Sequence, residues 1–115
     1  MAKTYRAALI GCSRMGAFID NESGAPAGTR PPKSHAAGFE ACDRTEMVAC
    51  SDFRVDVMEQ VGIRYGVPKD KQYTDYREMI AKERLDIVSV ATQPEPRAEI
   101  VVHAAESGVR AIYAE

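Results

Sequence analysis

The sequence predicts an α/β domain: a doubly wound parallel sheet of five strands in the order 3-2-1-4-5. Three observations carry this. Short apolar or β-branched runs, each stopped by a turn residue, recur along the 115 residues, as expected of strands covered on both faces. The segments between them have helical periodicity, and strict strand–helix alternation with short crossovers implies parallel strands, because each crossover is right-handed. Finally, 45% hydrophobic and 28% charged residues are the composition of one globular domain, and a chain of this length buries about two thirds of its unfolded surface in a single core.

Tyr5 to Ile10 is a mostly apolar run that stops at Gly11, and it reads as the first strand. From Arg14 the stretch R-M-G-A-F-I-D can open a helix, but residues 21–33 carry two glycines and three prolines and read as an inserted loop. Ser34 caps a resumed helix, in which Ala37 and Ala41 share one face. The second strand is Met47 to Ser51, ending at Asp52. Val57, Val61 and Tyr65 form an apolar stripe in a helix from Val55 to Tyr65, closed by Gly66 as a left-handed cap. A short third strand is expected around Tyr73, followed by a helix whose Asp75 and Glu78 have capping-box spacing. Asp86 to Ala91 is the fourth strand, Thr92 to Pro96 a loop, Arg97 to Ser107 a helix capped by Gly108, and Arg110 to Ala114 the last strand. That last strand is an edge, and an exposed apolar edge predicts self-association into a homo-oligomer.

Charge and cysteine content exclude several function classes. Fifteen Lys and Arg against 17 Asp and Glu give a net charge of -2, without the field that nucleic acid or an anionic membrane would require. No run approaches the ~18 apolar residues of a membrane span, and the start is too short for a secretory signal. Cys12, Cys42 and Cys50 form neither an even set nor a Cys-x-x-Cys pair. They argue against a disulfide framework or a metal site and for packing roles in a reducing, cytoplasmic compartment. The expected partner is a small molecule.

In such sheets the ligand crevice lies beyond the carboxyl ends of the strands, where the strand order reverses. Gly11-Cys12-Ser13-Arg14-Met15-Gly16 follows the first strand with the spacing of G-x-G-x-x-G, serine replacing the second glycine. The first glycine permits the tight turn and the third close helix–strand packing. Ser13 adds a Cβ where a pyrophosphate would approach, but also a hydroxyl able to bond it. Asp52 ends the second strand, where an acid accepts hydrogen bonds from an adenosine ribose. Its distance from Gly16 exceeds the usual ~20 residues by about the length of the insertion. An aspartate there repels a 2′-phosphate and favours NAD, whereas Arg54 can pair with that phosphate and favour NADP. The reading leans toward NAD.

The segments A-A-L-I-G-C-S-R-M-G, M-V-A-C-S-D, D-I-V-S-V-A-T-Q-P and A-A-E-S-G-V-R-A-I-Y-A-E resemble the amino-terminal half of the glucose-fructose oxidoreductase, inositol dehydrogenase and rhizopine-catabolism (Gfo/Idh/MocA) family. The likeness spans essentially the whole chain. It implies the NAD(P)-binding Rossmann domain of an oxidoreductase acting on a sugar, inositol or related polyol. By position, the resemblance places Gly11, Ser13, Arg14 and Met15 along the pyrophosphate and Asp52 with Arg54 at the adenosine ribose. It places Thr92, Gln93 and Pro94 at the nicotinamide side and matches Glu115 to the glutamate of the family's Glu-Lys-Pro motif. Arg97 stands where many members have histidine.

The family resemblance also implies that this domain, residues 1–115, stops before the Lys-Pro and the carboxy-terminal substrate domain. Hydride transfer from an alcohol needs an acid/base, and neither histidine recommends itself. His103 shares a helix face with Glu99 and Glu106 and reads as solvated, and His35 follows a cap beside the insertion. Two rivals are a non-catalytic module that senses NAD(H) and a methyltransferase. The latter is disfavoured because the fourth strand leads into Ala91-Thr92-Gln93-Pro94 and not into an acidic or amide residue followed by Pro-Pro.

Overall fold

Each apolar run named above becomes a strand in the computed structural model, which describes residues 3–19 and 32–115. The insertion expected over 21–33 lies, up to residue 31, outside the described residues. The strands are β1 (Tyr5–Ile10), β2 (Thr45–Ser51), β3 (Gln72–Tyr73), β4 (Ile87–Val90) and β5 (Ala111–Ala114). All neighbouring pairs are parallel and the order is β3-β2-β1-β4-β5. Between β1 and β2 the register shifts after Ala7, which faces Met47, to Ala8, which faces Ala49. Val48 is the extra residue of a bulge.

The helices are α1 (His35–Ala41), α2 (Val55–Tyr65), α3 (Tyr76–Lys82) and α4 (Pro94–Glu106). Ser34 caps α1 by accepting from the Ala37 N–H at 3.0 Å, and Gly66 ends α2 at φ 75°. Asp75 caps α3, accepting from the Arg77 N–H at 2.9 Å. Side chains alternate along the strands, so two cores form. Ala8, Ile10, Val88 and Val90 pack with Met79, Ile80, Ile100 and Ala104 from α3 and α4. Leu9 and Cys50 pack with Ala36, Met58 and Val61 from α1 and α2. Helices on both faces of a parallel sheet are the doubly wound architecture that the alternation predicts.

Three local expectations need correction. The helix expected to open at Arg14 is a single π-helical turn, Arg14–Phe18, in which Ala17 and Phe18 both donate to the Ser13 carbonyl at 2.8 and 3.3 Å. The expected loop Thr92 to Pro96 is already helix from Pro94. Proline is tolerated in a first turn because the N–H it lacks has no intrahelical partner there. Cys42 does not pack as expected: it is exposed at the end of α1, whereas Cys12 and Cys50 are buried. Strand bounds differ by a residue or two, β2 starting at Thr45 and β5 at Ala111. The edge strand β5 leaves Tyr113 64% exposed.

Candidate functional site

A crevice of about 450 Å³ opens over the carboxyl ends of the strands, lined by Gly11 and Ser13 after β1, Asp52 to Arg54 after β2, and Ala91 to Gln93 after β4. This is the switch point, where β1 leads toward β2 and β4 carries the sheet the other way. Thr74, Tyr76, Pro96 and Ile100 close its outer side.

The wall after β1 depends on two glycines. Gly11 has φ 94°, and a Cβ there would stand 2.7 Å from the carbonyl carbon and oxygen of Ala91. Any side chain would be both strained and in collision with the β4 end. At Gly16 a Cβ would fall 2.0 Å from the Gly11 carbonyl oxygen. The first and third glycines of the motif are thus explained by contacts within the chain. Between them Ser13 is half-buried and lines the crevice.

Asp52 joins the walls after β1 and β2. Its side chain is only 7% exposed. Oδ2 accepts from the Cys12 N–H at 2.9 Å and from an Arg54 Nη at 3.1 Å, and Oδ1 accepts from the Arg54 N–H at 2.9 Å and Nε at 3.1 Å. Burial pushes the carboxyl up, but the hydrogen bonds from Arg54 and from the Cys12 amide, with the Arg54 charge, outweigh it and hold the group below its ordinary value. Beneath it, Cys12 donates to the Ser51 carbonyl at 3.5 Å. A hydrogen bond with Cys50, burial and nearby negative charge push the Cys12 thiol far up, so it is packing and not a nucleophile.

After β4, Thr92 is half-buried and donates to the Gln93 carbonyl at 3.1 Å, while Gln93 is exposed. Arg97 donates to the Thr92 carbonyl at 3.0 Å, pinning this turn from α4. The Arg97 Nε and the Tyr76 hydroxyl are buried without a hydrogen-bond partner among the described residues.

The crevice therefore brings together Gly11, Ser13, Asp52, Arg54, Thr92 and Gln93. It does not include four other expected residues. Arg14 and Pro94 are exposed beside it. Met15 and Glu115 instead line a second depression, of about 420 Å³, beside α1. There His35, its side chain 4% exposed, bonds Ser89 through Nδ1 and the Glu115 carboxylate at 2.8 Å through Nε2. Its ring meets Tyr113 edge-on at 5.1 Å. His103 is half-buried and not fully solvated, its ring edge-on to Tyr76 at 5.7 Å. Sequence reasoning missed Phe53, 86% exposed on the crevice beside Asp52. The available signal was a large apolar residue between two charged ones just past a strand.

Comparison with known proteins agrees with this fold. Residues 5–115 match the profile of an oxidoreductase family described as having an NAD-binding Rossmann fold. A curated relative, D-apiose dehydrogenase of Paraburkholderia graminis, is 30% identical over 110 residues, covering 96% of this chain and 24% of that protein. Myo-inositol 2-dehydrogenase from Lactobacillus plantarum superposes with a TM-score of 0.74 at 21% identity, over 97% of this chain and 28% of its own. An oxidoreductase from Agrobacterium radiobacter, solved with NAD+, L-tartaric acid and magnesium, superposes with a TM-score of 0.70 at 25% identity, over 96% of this chain and 27% of its own. The chain thus spans about a quarter of the length of the relatives it matches. With the profile matched from Tyr5 to Glu115 and the five-stranded order observed, the chain belongs to the Gfo/Idh/MocA oxidoreductase family and is its NAD-binding Rossmann domain.

Proposed function

We propose that this chain holds the cofactor of an NAD(P)-dependent dehydrogenase acting on a sugar, inositol or related polyol, with NAD as the dinucleotide that Asp52 favours. One observation carries the reading: the Gly11 turn, closed against Ala91, faces a carboxylate at the end of β2 across a single crevice. The residues fit a dinucleotide. Gly11 and Ser13 border the pyrophosphate, Asp52 takes the adenosine ribose diol, Phe53 covers the adenine, and Thr92 and Gln93 border the nicotinamide. Arg14, Met15, Pro94 and Glu115 lie outside the crevice lining, and no contact to the dinucleotide is proposed for them. The bound dinucleotide supplies the hydride acceptor or donor, and the chain's residues orient it and exclude water from one face.

The proton of an alcohol substrate needs a separate acid/base. Among the described residues lining the crevice, the one carboxylate, Asp52, is ion-paired. His35 and His103 are held elsewhere. We propose that proton handling falls to residues outside those described, the relatives being about four times as long. The same observation favours, as a second reading, a module that binds NAD(H) without chemistry, and turnover of any polyol by the full-length protein eliminates that reading.

The cofactor assignment is tested by titrating NADH into the chain and following the nicotinamide's own fluorescence, which no tryptophan obscures. Saturable binding weakened about 10- to 100-fold by Asp52→Ala is expected, the worth of a hydrogen bond to a charged group. Binding indifferent to that substitution, or absent, overturns the assignment.

A further inference from the structure

A buried histidine that the cofactor reading leaves unused ties three elements together beside the crevice. His35 is the first residue of α1, its backbone fixed there by the Ser34 cap. Its side chain is only 4% exposed. It bonds Ser89 of β4 through Nδ1 and the carboxylate of Glu115, just past β5, at 2.8 Å through Nε2. Ser89 is itself buried, and Tyr113, its partner in the β4–β5 register, meets the imidazole edge-on. A carboxylate only accepts, so Nε2 carries the proton of that bond, whereas a serine hydroxyl both donates and accepts. Ser89 therefore satisfies Nδ1 whether the ring is neutral or charged.

What this clamp holds is the carboxyl end of β5. The Glu115 N–H donates to the Val90 carbonyl at 3.2 Å, carrying the β4–β5 ladder one residue past Ala114. Ala91, which follows Val90, already lines the crevice and closes against Gly11. Glu115 is thus pinned twice, by its backbone to β4 and by its side chain to α1, one strand away from the crevice wall. An ion pair between two exposed side chains would restrain it little, but here the imidazole is enclosed and held by a second bond. The sheet order gives that place its meaning. A dinucleotide with its adenosine at β2, its pyrophosphate at β1 and its nicotinamide at the turn after β4 runs along the strand ends toward β5. The end of β5 is next in that line, where a substrate facing the nicotinamide stands.

We propose that His35 is a positioning residue for the dehydrogenase reaction: by holding Glu115 it fixes the carboxyl end of β5 where the substrate meets the nicotinamide. It touches neither substrate nor cofactor and acts through Glu115. This rests on the dinucleotide reading of the crevice and adds the β5 side to it.

The test uses the full-length protein with NAD+ and the fastest-reacting member of a panel of sugars and inositols, alongside NADH titration and amide hydrogen exchange. His35→Ala should lower kcat about 10- to 100-fold, the scale of a small misplacement at a reacting centre, while the KM for NAD+ and the NADH affinity stay within about three-fold. Exchange over residues 111–115 should quicken about ten-fold, the worth of one hydrogen bond, with β1 unchanged. Glu115→Ala should reproduce both effects, and the double variant should be no worse than either single one, the mark of two residues acting as a unit. His35→Gln keeps a donor for Glu115 and should recover part of kcat. A kcat unchanged by His35→Ala while β5 exchanges faster makes the contact merely structural and overturns the proposal. So does a double variant whose loss is the product of the single losses, or exchange quickened equally in β1, which marks general destabilisation. Wild-type protein that binds NADH but turns over no member of the panel favours the non-catalytic module and overturns the proposal while the cofactor site stands. Wild-type protein that binds no NADH overturns the dinucleotide reading itself.

Discussion

Glu83 and Asp52 are both nearly buried carboxylates, 3% and 7% exposed, yet they do opposite things. Glu83, at the end of α3, accepts from the Tyr73 hydroxyl at 2.6 Å, from Lys71 Nζ at 3.1 Å and from an Arg6 Nη at 3.2 Å. Those donors come from β3, from the turn before it and from β1, so Glu83 ties separate elements together, and the buried Tyr73 hydroxyl cannot leave without parting them. Asp52 draws its side-chain partner from two residues away, on an exposed arginine that can move while the backbone stays put. Burial of a charge therefore does not distinguish a structural carboxylate from a ligand-binding one. What distinguishes them is whether the partner can be exchanged.

The sharpest way to break that comparison is to remove each carboxylate in turn. Glu83→Ala should cost about 3 kcal/mol, the lower end for a broken buried pair, because the stranded Lys71 and Arg6 are each about 40% exposed and keep some water. It would be read as a lower denaturant midpoint at constant slope. Asp52→Ala should cost only about 1 kcal/mol, chiefly the lost acceptor for the Cys12 N–H, while it weakens NADH. If Asp52→Ala proved the more destabilising, the distinction would collapse.

A pH titration of stability sharpens the same contrast. Burial pushes Glu83 up, but the Tyr73 hydroxyl, Lys71 and Arg6 outweigh it and hold the carboxyl below its ordinary 4.5. A group depressed on folding stabilises above its unfolded value and loses that contribution as pH falls through the folded one, so the Glu83 contribution is complete above pH 4.5 and fades below it. The bond to Glu83 and burial push Tyr73 up to about 12 from 10.0. Its contribution is therefore complete below pH 10 and lost as pH rises toward 12. Urea midpoints across pH should show both losses, Glu83→Gln removing the acid one and Tyr73→Phe the alkaline one. Neither substitution should move the NADH affinity.

The smallest effect belongs to Phe53. Phe53→Trp should leave stability within about 0.5 kcal/mol, as expected of a surface position, and place a single tryptophan at the open end. Saturating 5′-AMP should quench its emission. Emission unchanged by bound 5′-AMP would mean that the adenine lies elsewhere.

Much of this was legible in the sequence because backbone geometry imposed it. Gly11 and Gly16 stand where a Cβ has no room, and Asp52 ends a strand whose pattern locates its terminus. The start of α4 was misread because Pro94 and Pro96 signal a loop by composition, while position in a first turn reverses their meaning. What stayed hidden depended on contacts distant in sequence. Nothing local shows that His35 meets Ser89 and Glu115, that Glu83 gathers Arg6, or that Met15 and Glu115 share a depression apart from the crevice. The Asp52–Arg54 pair was visible as two charges flanking Phe53, but not that it uses both carboxylate oxygens.

The uneven placement of the three cysteines has a practical consequence. Cys12 and Cys50 are enclosed in the core beneath the crevice, with the Cys12 thiol kept protonated, while Cys42 stands exposed at the end of α1. Maleimide should consequently label the native chain one-to-one at Cys42. A fluorophore attached there, at the rim of the second depression, would be a ready-made optical tag on the side of the domain where Glu115 lies, leaving the dinucleotide crevice unmodified.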